Sequence, residues 1–357
     1  MTTASIPELI DLHPAKADMR QLVWEGFQQS PKQLPAWFLY DEEGSRLFEQ
    51  ICQQPEYSLT RTESALLKTE AVAISRAITQ TAITTTPKNS GGESSGGENS
   101  AGASSAGENS AGENCVIVEF GAGNARKVGP LLKALQPAAY VALDISLESL
   151  RSTNQHLRQS FPDTPLLGIC CDHSQLNELP PHPLLDGQRR IGFFPGSSLG
   201  NFKPRQARTV LRRFRQLLNG GPLLLGLDHP KSKEQLEAAY NDAAGCSAAF
   251  ASNLLHRLNQ ELGGSFAIDQ FSYQARWEAE HSRVAMELLS DCDQTVDVAG
   301  RTWEFAQGEP ITTEYSFKYG PIAALDLVTS AGWRGIQRWH DPSEDLSLHL
   351  LEPADLK

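Results

Sequence analysis

Between residues 115 and 228, short apolar runs alternate with segments of helical period, and this alternation limits the fold most. The runs are "CVIVEF", "AYVALDIS", "PLLGICCD", "RIGFFPGSSLGNF" and "GPLLLGLDH". Helices are expected near 125–136, 146–160 and 204–218, the last reading "RQARTVLRRFRQLL". Strands without polar alternation are buried on both faces. When helices separate them, they build a mostly parallel, doubly wound α/β sheet.

Beyond residue 230 the pattern changes. Residues 232–264 read as helical, and 266–318 alternate like antiparallel strands with hairpin turns such as "DVAGRTW". A helix at 320–331 and a last strand pair follow. The doubly wound unit is therefore expected over 61–230 plus 319–357, interrupted by an antiparallel-rich excursion. Residues 1–60 are too apolar for a tail and are expected to pack with 231–318 as a second, α+β unit. Residues 91–114 use only Gly, Glu, Ser, Asn and Ala. Such a segment buries too little apolar surface to repay the entropy of ordering, so 83–114 reads as a flexible insertion and a tolerated loop expansion.

The first strand runs into a glycine turn, "VIVEFGAGNARK" (116–127). A dinucleotide fingerprint places a third glycine where this chain has Arg126, and a phosphate-binding G-x-x-x-x-G-K-[ST] is absent. There remain Glu119, Gly121 and Gly123, then Asp144 at the end of the second strand and Asp172 at the end of the third. Asp144 is placed to grip the two hydroxyls of a ribose, and Asp172 to meet an adenine amino group. A ribose grip serves NAD and S-adenosylmethionine equally. A cofactor without phosphates needs no third glycine, so the arrangement favours a methyltransferase, with a nicotinamide oxidoreductase as the alternative.

The net charge of −12, from 43 acids and 31 bases, argues against a nucleic-acid partner, which would call for a basic stripe. It suits a protein handling a small molecule. The six cysteines form no C-x-x-C pair and no Cys/His cluster of zinc spacing, so no metal is expected. Cys170 and Cys171 read as a buried strand end. No signal peptide or membrane-spanning run is evident, and the chain reads as cytoplasmic and monomeric. His229, His281 and His340 lack a serine, cysteine or metal-ligand neighbour at a useful spacing, and "PGSSLGN" misses the hydrolase elbow G-x-S-x-G.

Four further stretches carry a resemblance. They are "LPAWFLYDEEGSRLFEQICQQPEYSLTRTE" (34–63), "FFPGSSLGNFKP" (193–204), "AYNDAAGCSAAFASNLL" (239–255) and "GEPITTEYSFKY" (308–319). In that order and spacing the chain resembles the histidine Nα-methyltransferases of ergothioneine biosynthesis, over nearly its whole length outside 83–114. The resemblance implies a class I S-adenosylmethionine-dependent methyltransferase domain and a substrate-binding domain. It also implies three methyl transfers to the α-amine of free histidine, giving hercynine.

By the same resemblance, Tyr57 stands beside the amine as the catalytic residue, and Asn201 and Tyr240 hold the α-carboxylate, with neutral donors in place of an arginine clamp. Glu314 and Ser316 lie two apart on an expected strand, so both side chains leave one face. A carboxylate and a hydroxyl so placed can grip the two imidazole nitrogens, Ser316 serving either one. Met286 flanks the ring. Phe48, Phe250, Ser247 and Gly196 complete the substrate set. Aromatic faces suit a trimethylammonium product, which has no N–H to donate. Tyr40, Lys127 and His173 join Glu119, Gly121, Gly123, Asp144 and Asp172 on the cofactor side. His173 departs from an aromatic usual in the family, and Ser247 from a threonine. An N-methyltransferase for another aromatic amino acid, such as a tryptophan derivative, is the nearest alternative, and an indole would have little use for Glu314. A cofactor-binding protein without catalysis is the remaining one.

Overall fold

A computed structural model describes residues 9–12, 16–84 and 114–354. All but the ends of the expected insertion at 83–114 lie outside the described residues. The N-terminal elements are β1 (Leu9–Asp11), α1 (Lys16–Phe27), β2 (Lys32–Gln33), α2 (Glu42–Ile51) and α3 (Leu59–Thr84). The strand–helix series follows as β3 (Cys115–Phe120), α4 (Gly129–Leu135), β4 (Ala139–Asp144), α5 (Leu147–Ser160), β5 (Leu166–Cys170), β6 (Arg189–Phe194), α6 (Pro204–Leu217) and β7 (Leu223–Asp228). After α7 (Lys233–Tyr240) and α8 (Cys246–Leu262) come β8 (Phe271–Glu278), β9 (Arg283–Ser290), β10 (Gln294–Val298), β11 (Arg301–Phe305) and β12 (Pro310–Phe317). The chain closes with α9 (Pro321–Ser330), β13 (Trp333–His340) and β14 (Leu346–Pro353).

The large sheet has eight strands in the order β1-β5-β4-β3-β6-β7-β14-β13. All its pairings from β1 to β7 are parallel, and β14 is antiparallel to both neighbours. Every residue of β3, β4, β5 and β7 is buried, which accounts for their unbroken apolar runs. Alternate residues of β3 serve two cores. Cys115 and Ile117 face the one containing α3, and Val116, Val118 and Phe120 the one containing α6 and α9. α6 buries Ala207, Val210, Leu211, Phe214 and Leu217, the apolar stripe of a helix lying on a sheet.

β1 corrects the expected assignment of all of 1–60 to the second unit. Leu9–Asp11 pairs in parallel with β5 at the edge of the large sheet. Three residues are too few to show a period.

A four-stranded sheet, β2-β12-β9-β8, and the hairpin β10–β11 form the second layer. α1 packs against the hairpin, with Trp24 Nε1 donating to Ala299 O at 3.0 Å. The expected helix at 232–264 is two helices. Asp242 stops the first by accepting from the amides of Cys246 and Ser247 at 2.8 and 2.7 Å, satisfying the opening donors of α8. One apolar core runs from Ile117 and Leu224 on the large sheet to Leu254, Phe271 and Leu288 in the second layer. Among the described residues, no helix is long and apolar enough to cross a membrane.

Candidate active site

The glycine turn leaves β3 with Gly121 and Gly123 at φ +69° and +51°, where a β-carbon is costly. Gly123 N donates to Asp144 Oδ2 at 2.7 Å, and its carbonyl accepts from Thr153 Oγ1 at 2.6 Å. Asp144 Oδ1 accepts from Ser146 N at 2.9 Å. A carboxylate offers about four acceptor positions, so the backbone donors of Gly123, Ser146 and Ile145 leave Asp144 capacity for a ligand hydroxyl. A side chain built on Gly123 would meet no protein atom within 4 Å. An uncrowded turn beside a carboxylate with acceptor capacity to spare fits a ribose-bearing cofactor.

Glu119 lies under the turn, accepting from Tyr140 OH at 2.7 Å. Burial pushes its carboxyl up to about 8, against the pull of Tyr140 and Lys127. Asp172 Oδ1 accepts from the amide and hydroxyl of Ser174. The His173 ring packs against Phe120, Phe194 and Phe214, with centroids 5.6–6.2 Å apart. Burial holds this imidazole neutral, lowering it to about 4, with Asp172 opposing. Its Nε2 is buried without a hydrogen-bond partner, a polar atom that a bound base can satisfy.

The other two residues expected on the cofactor side, Tyr40 and Lys127, are engaged with neighbouring protein groups. Tyr40 lines a pocket, its ring 5.6 Å from Phe48 and 5.3 Å from Phe250. Lys127 is paired with Glu63, Nζ to Oε2 at 2.6 Å. Glu63 is fully buried on α3 and also accepts from Gly196 N at 2.8 and 3.0 Å. It thereby ties the glycine-turn segment to the loop after β6. No local pattern marks Glu63, whose partners are 64 and 133 residues away.

All ten residues expected at the substrate line one pocket. Phe48 comes from α2, Tyr57 from the turn before α3, Gly196 and Asn201 from the loop after β6, and Tyr240 from the end of α7. Ser247 and Phe250 come from α8, Met286 from β9, and Glu314 and Ser316 from β12. Leu39, Ile51, Ser197, Ser198, Ala251, Tyr273 and Thr313 also line it. The rings form a wall. Phe48 stands 5.9 Å from Phe250 and 6.4 Å from Tyr57, and Tyr57 stands 5.8 Å from Tyr240.

The polar floor is β12, whose Glu314 lies opposite Met286 of β9 just past a bulge. Asn201 Nδ2 donates to Glu314 Oε1 at 2.7 Å. Burial pushes Glu314 up to about 8, with Lys318 pulling the other way. Tyr240 OH and Ser316 Oγ are 2.8 Å apart. Beneath them lies Lys318, its Nζ 2.6 Å from Asp228 Oδ2. Lys231 holds the other oxygen of Asp228. The neutral-donor expectation thus missed a buried cation behind the floor. Residues 314, 316 and 318 continue one period of two, and that signal was present in "EYSFK".

His229 does have a serine neighbour: its Nε2 is 2.7 Å from Ser347 Oγ, on β14. Ser347 is fully buried in the large sheet, away from the pocket lining.

Residues 19–353 match the model of the histidine-specific, S-adenosylmethionine-dependent methyltransferases. The chain belongs to this family. Its relatives include the histidine N-alpha-methyltransferase of Mycolicibacterium smegmatis, 32% identical over 98% of this chain and 99% of that protein. The histidine N-alpha-methyltransferase of Mycobacterium tuberculosis is 31% identical over 93% of this chain and 94% of its own length. Ergothioneine biosynthesis protein 1 of Schizosaccharomyces pombe is 25% identical over 92% of this chain, which spans 40% of that longer protein. This histidine-specific methyltransferase is thus an enzyme with S-adenosylmethionine as its cofactor, and its sheet is that of a class I methyltransferase.

Proposed function

We propose that the enzyme transfers three methyl groups in turn to the α-amine of free L-histidine, yielding hercynine, the first step of ergothioneine biosynthesis. The observation that carries this reading is the pocket floor: Glu314 and Ser316 side by side beneath a wall of aromatic rings. S-adenosylmethionine supplies the methyl group as an electrophile on a sulfonium sulfur. The protein's main task is then to orient an amine with a free lone pair.

Tyr57 is the residue beside that amine. Burial first, then Tyr240, Cys52 and other neighbours, holds its hydroxyl well above the ordinary tyrosine range. It therefore stays a neutral phenol that orients the amine and does not serve as a phenolate base. Asn201 and Tyr240 hold the α-carboxylate, Glu314 and Ser316 the imidazole, and Met286 flanks the ring. Phe48 and Phe250 exclude water and favour the accumulating methylammonium charge. Gly196 and Ser247 shape the pocket's edge, and Tyr40 closes it on the cofactor side. Gly121, Gly123, Asp144, Asp172 and His173 hold the cofactor, with Glu119 and Lys127 supporting the turn.

In this reading 61–230 plus 319–357 is the methyl-donor unit, joined by Leu9–Asp11, and the rest of 1–60 plus 231–318 is the substrate unit. The enzyme works as a cytoplasmic monomer on a small molecule, without nucleic acid. The test is incubation of the purified protein with S-adenosylmethionine and a mixture of the common amino acids, read by mass spectrometry. Histidine alone should gain methyl groups, up to three. Methylation of a different amino acid would overturn the roles given to Glu314, Ser316 and Met286.

A further inference from the structure

Lys318 has a fully buried side chain, and its backbone is fixed on both sides by Ser282. Its amide donates to Ser282 O at 2.8 Å, and its carbonyl accepts from Ser282 Oγ at 2.8 Å. An ammonium has three N–H bonds and no lone pair. All three have acceptors here: Asp228 Oδ2 at 2.6 Å, Tyr240 OH at 2.6 Å and Ser316 Oγ at 2.9 Å. Tyr240 OH and Ser316 Oγ also lie 2.8 Å from each other, so the three groups close a ring. Lys318 and Lys231 share the single carboxylate of Asp228, which leaves a net positive charge behind the pocket floor.

Each hydroxyl has one proton and two lone pairs. Both must accept from Lys318, and one hydroxyl proton lies along the edge between them. A single proton is left for a ligand. We propose that Lys318 is a positioning residue of the reaction, fixing Tyr240 as the donor to the substrate α-carboxylate and Ser316 as the acceptor of an imidazole N–H. This rests on the histidine reading above.

A carboxylate can only accept, so it takes the proton of Tyr240. Ser316 must then close the ring edge with its own proton, and its second lone pair faces the imidazole. Glu314 meets the other ring nitrogen, and one proton is shared between them. The ring of Lys318, Tyr240 and Ser316 thus couples recognition of the carboxylate to recognition of the side chain. It selects an α-amino acid whose ring carries two nitrogens. Indole offers one N–H and a benzene ring none, so neither completes the set.

The experiment is Lys318→Met, alone and combined with Ser316→Ala. Histidine affinity is read as KM and by calorimetry, and S-adenosylmethionine affinity by calorimetry. Lys318→Met should weaken histidine about tenfold or more and leave the cofactor within about twofold. In the Ser316→Ala background the same change should add less than about threefold, because the ring is already open. Histidine affinity within twofold of wild type would overturn the proposal. So would full multiplication of the two effects, the behaviour of a lysine that only supports the fold. If Lys318→Met does not fold, Lys318→Met with Asp228→Asn removes both charges and is judged by the same criteria. A wild-type protein that fails to methylate histidine overturns the underlying reading. A wild type that succeeds beside an unaffected Lys318→Met overturns the lysine's role alone.

Discussion

Glu314 keeps its proton at a pH where an ordinary glutamate has lost it. Burial raises its carboxyl, and that of Glu119, from 4.5 to about 8. A carboxyl raised on folding adds stability that is complete below about 4.5 and is lost as pH rises through about 8. The buried His173 and His349, lowered to about 4, oppose this trend up to about pH 6.5, so without ligand the protein should melt at progressively lower temperature from about pH 6.5 to about 8. Glu314→Gln removes one of the two groups and should flatten that slope in a series of thermal melts. An unchanged slope would mean that Glu314 is ionised in the fold. Removing the side chain altogether tests its role. Glu314→Ala should weaken histidine by about tenfold or more and hardly affect the cofactor, since a buried ring nitrogen loses its partner. Asp144→Ala should do the reverse. Calorimetric titration of both variants with both ligands checks the pair, and unaltered cofactor affinity in Asp144→Ala would remove the ribose assignment.

At the scale of elements, the joint between α3, the glycine-turn segment and the loop after β6 depends on Glu63. Glu63→Ala strands Lys127, whose side chain is only 18% exposed, and leaves Gly196 N without its acceptor. Breaking such a buried pair costs about 3–5 kcal/mol. Urea unfolding should show a loss of that order, and a loss below about 1 kcal/mol would mean water replaces the carboxylate. Glu63 was invisible in the sequence because distant segments create its role. β3 to β7 were legible for the opposite reason: burial on both faces writes each strand as a local apolar run. The helix expected from 125 begins at Gly129 because Ala125 takes φ +47°, extending the turn beyond its glycines. The break after Tyr240 lay in the capping carboxylate of Asp242, which a helical period does not register. In the site, Glu314 and Ser316 were legible through strand period and resemblance. Lys318 continued the same period but was not singled out, since its partner Asp228 lies 90 residues upstream.

At the scale of the molecule, the pocket is assembled from segments near 39–57, 196–201, 240–251 and 273–316. Histidine binding should therefore slow amide hydrogen exchange in α2, the loop after β6, α8 and β12 together. The hairpin β10–β11 contributes nothing to the lining and should be unaffected. Protection confined to one segment would mean the ligand sits elsewhere. The chain leaves the large sheet at Asp228 and returns at Tyr319, and these two residues are joined by a Tyr319 N–H to Asp228 O hydrogen bond of 3.0 Å. An excursion whose ends meet places little conformational demand on its host. Residues 229–318 are in that respect a graft. Mutation within them can change the guest molecule over generations while the turn at Gly121–Gly123 is inherited intact.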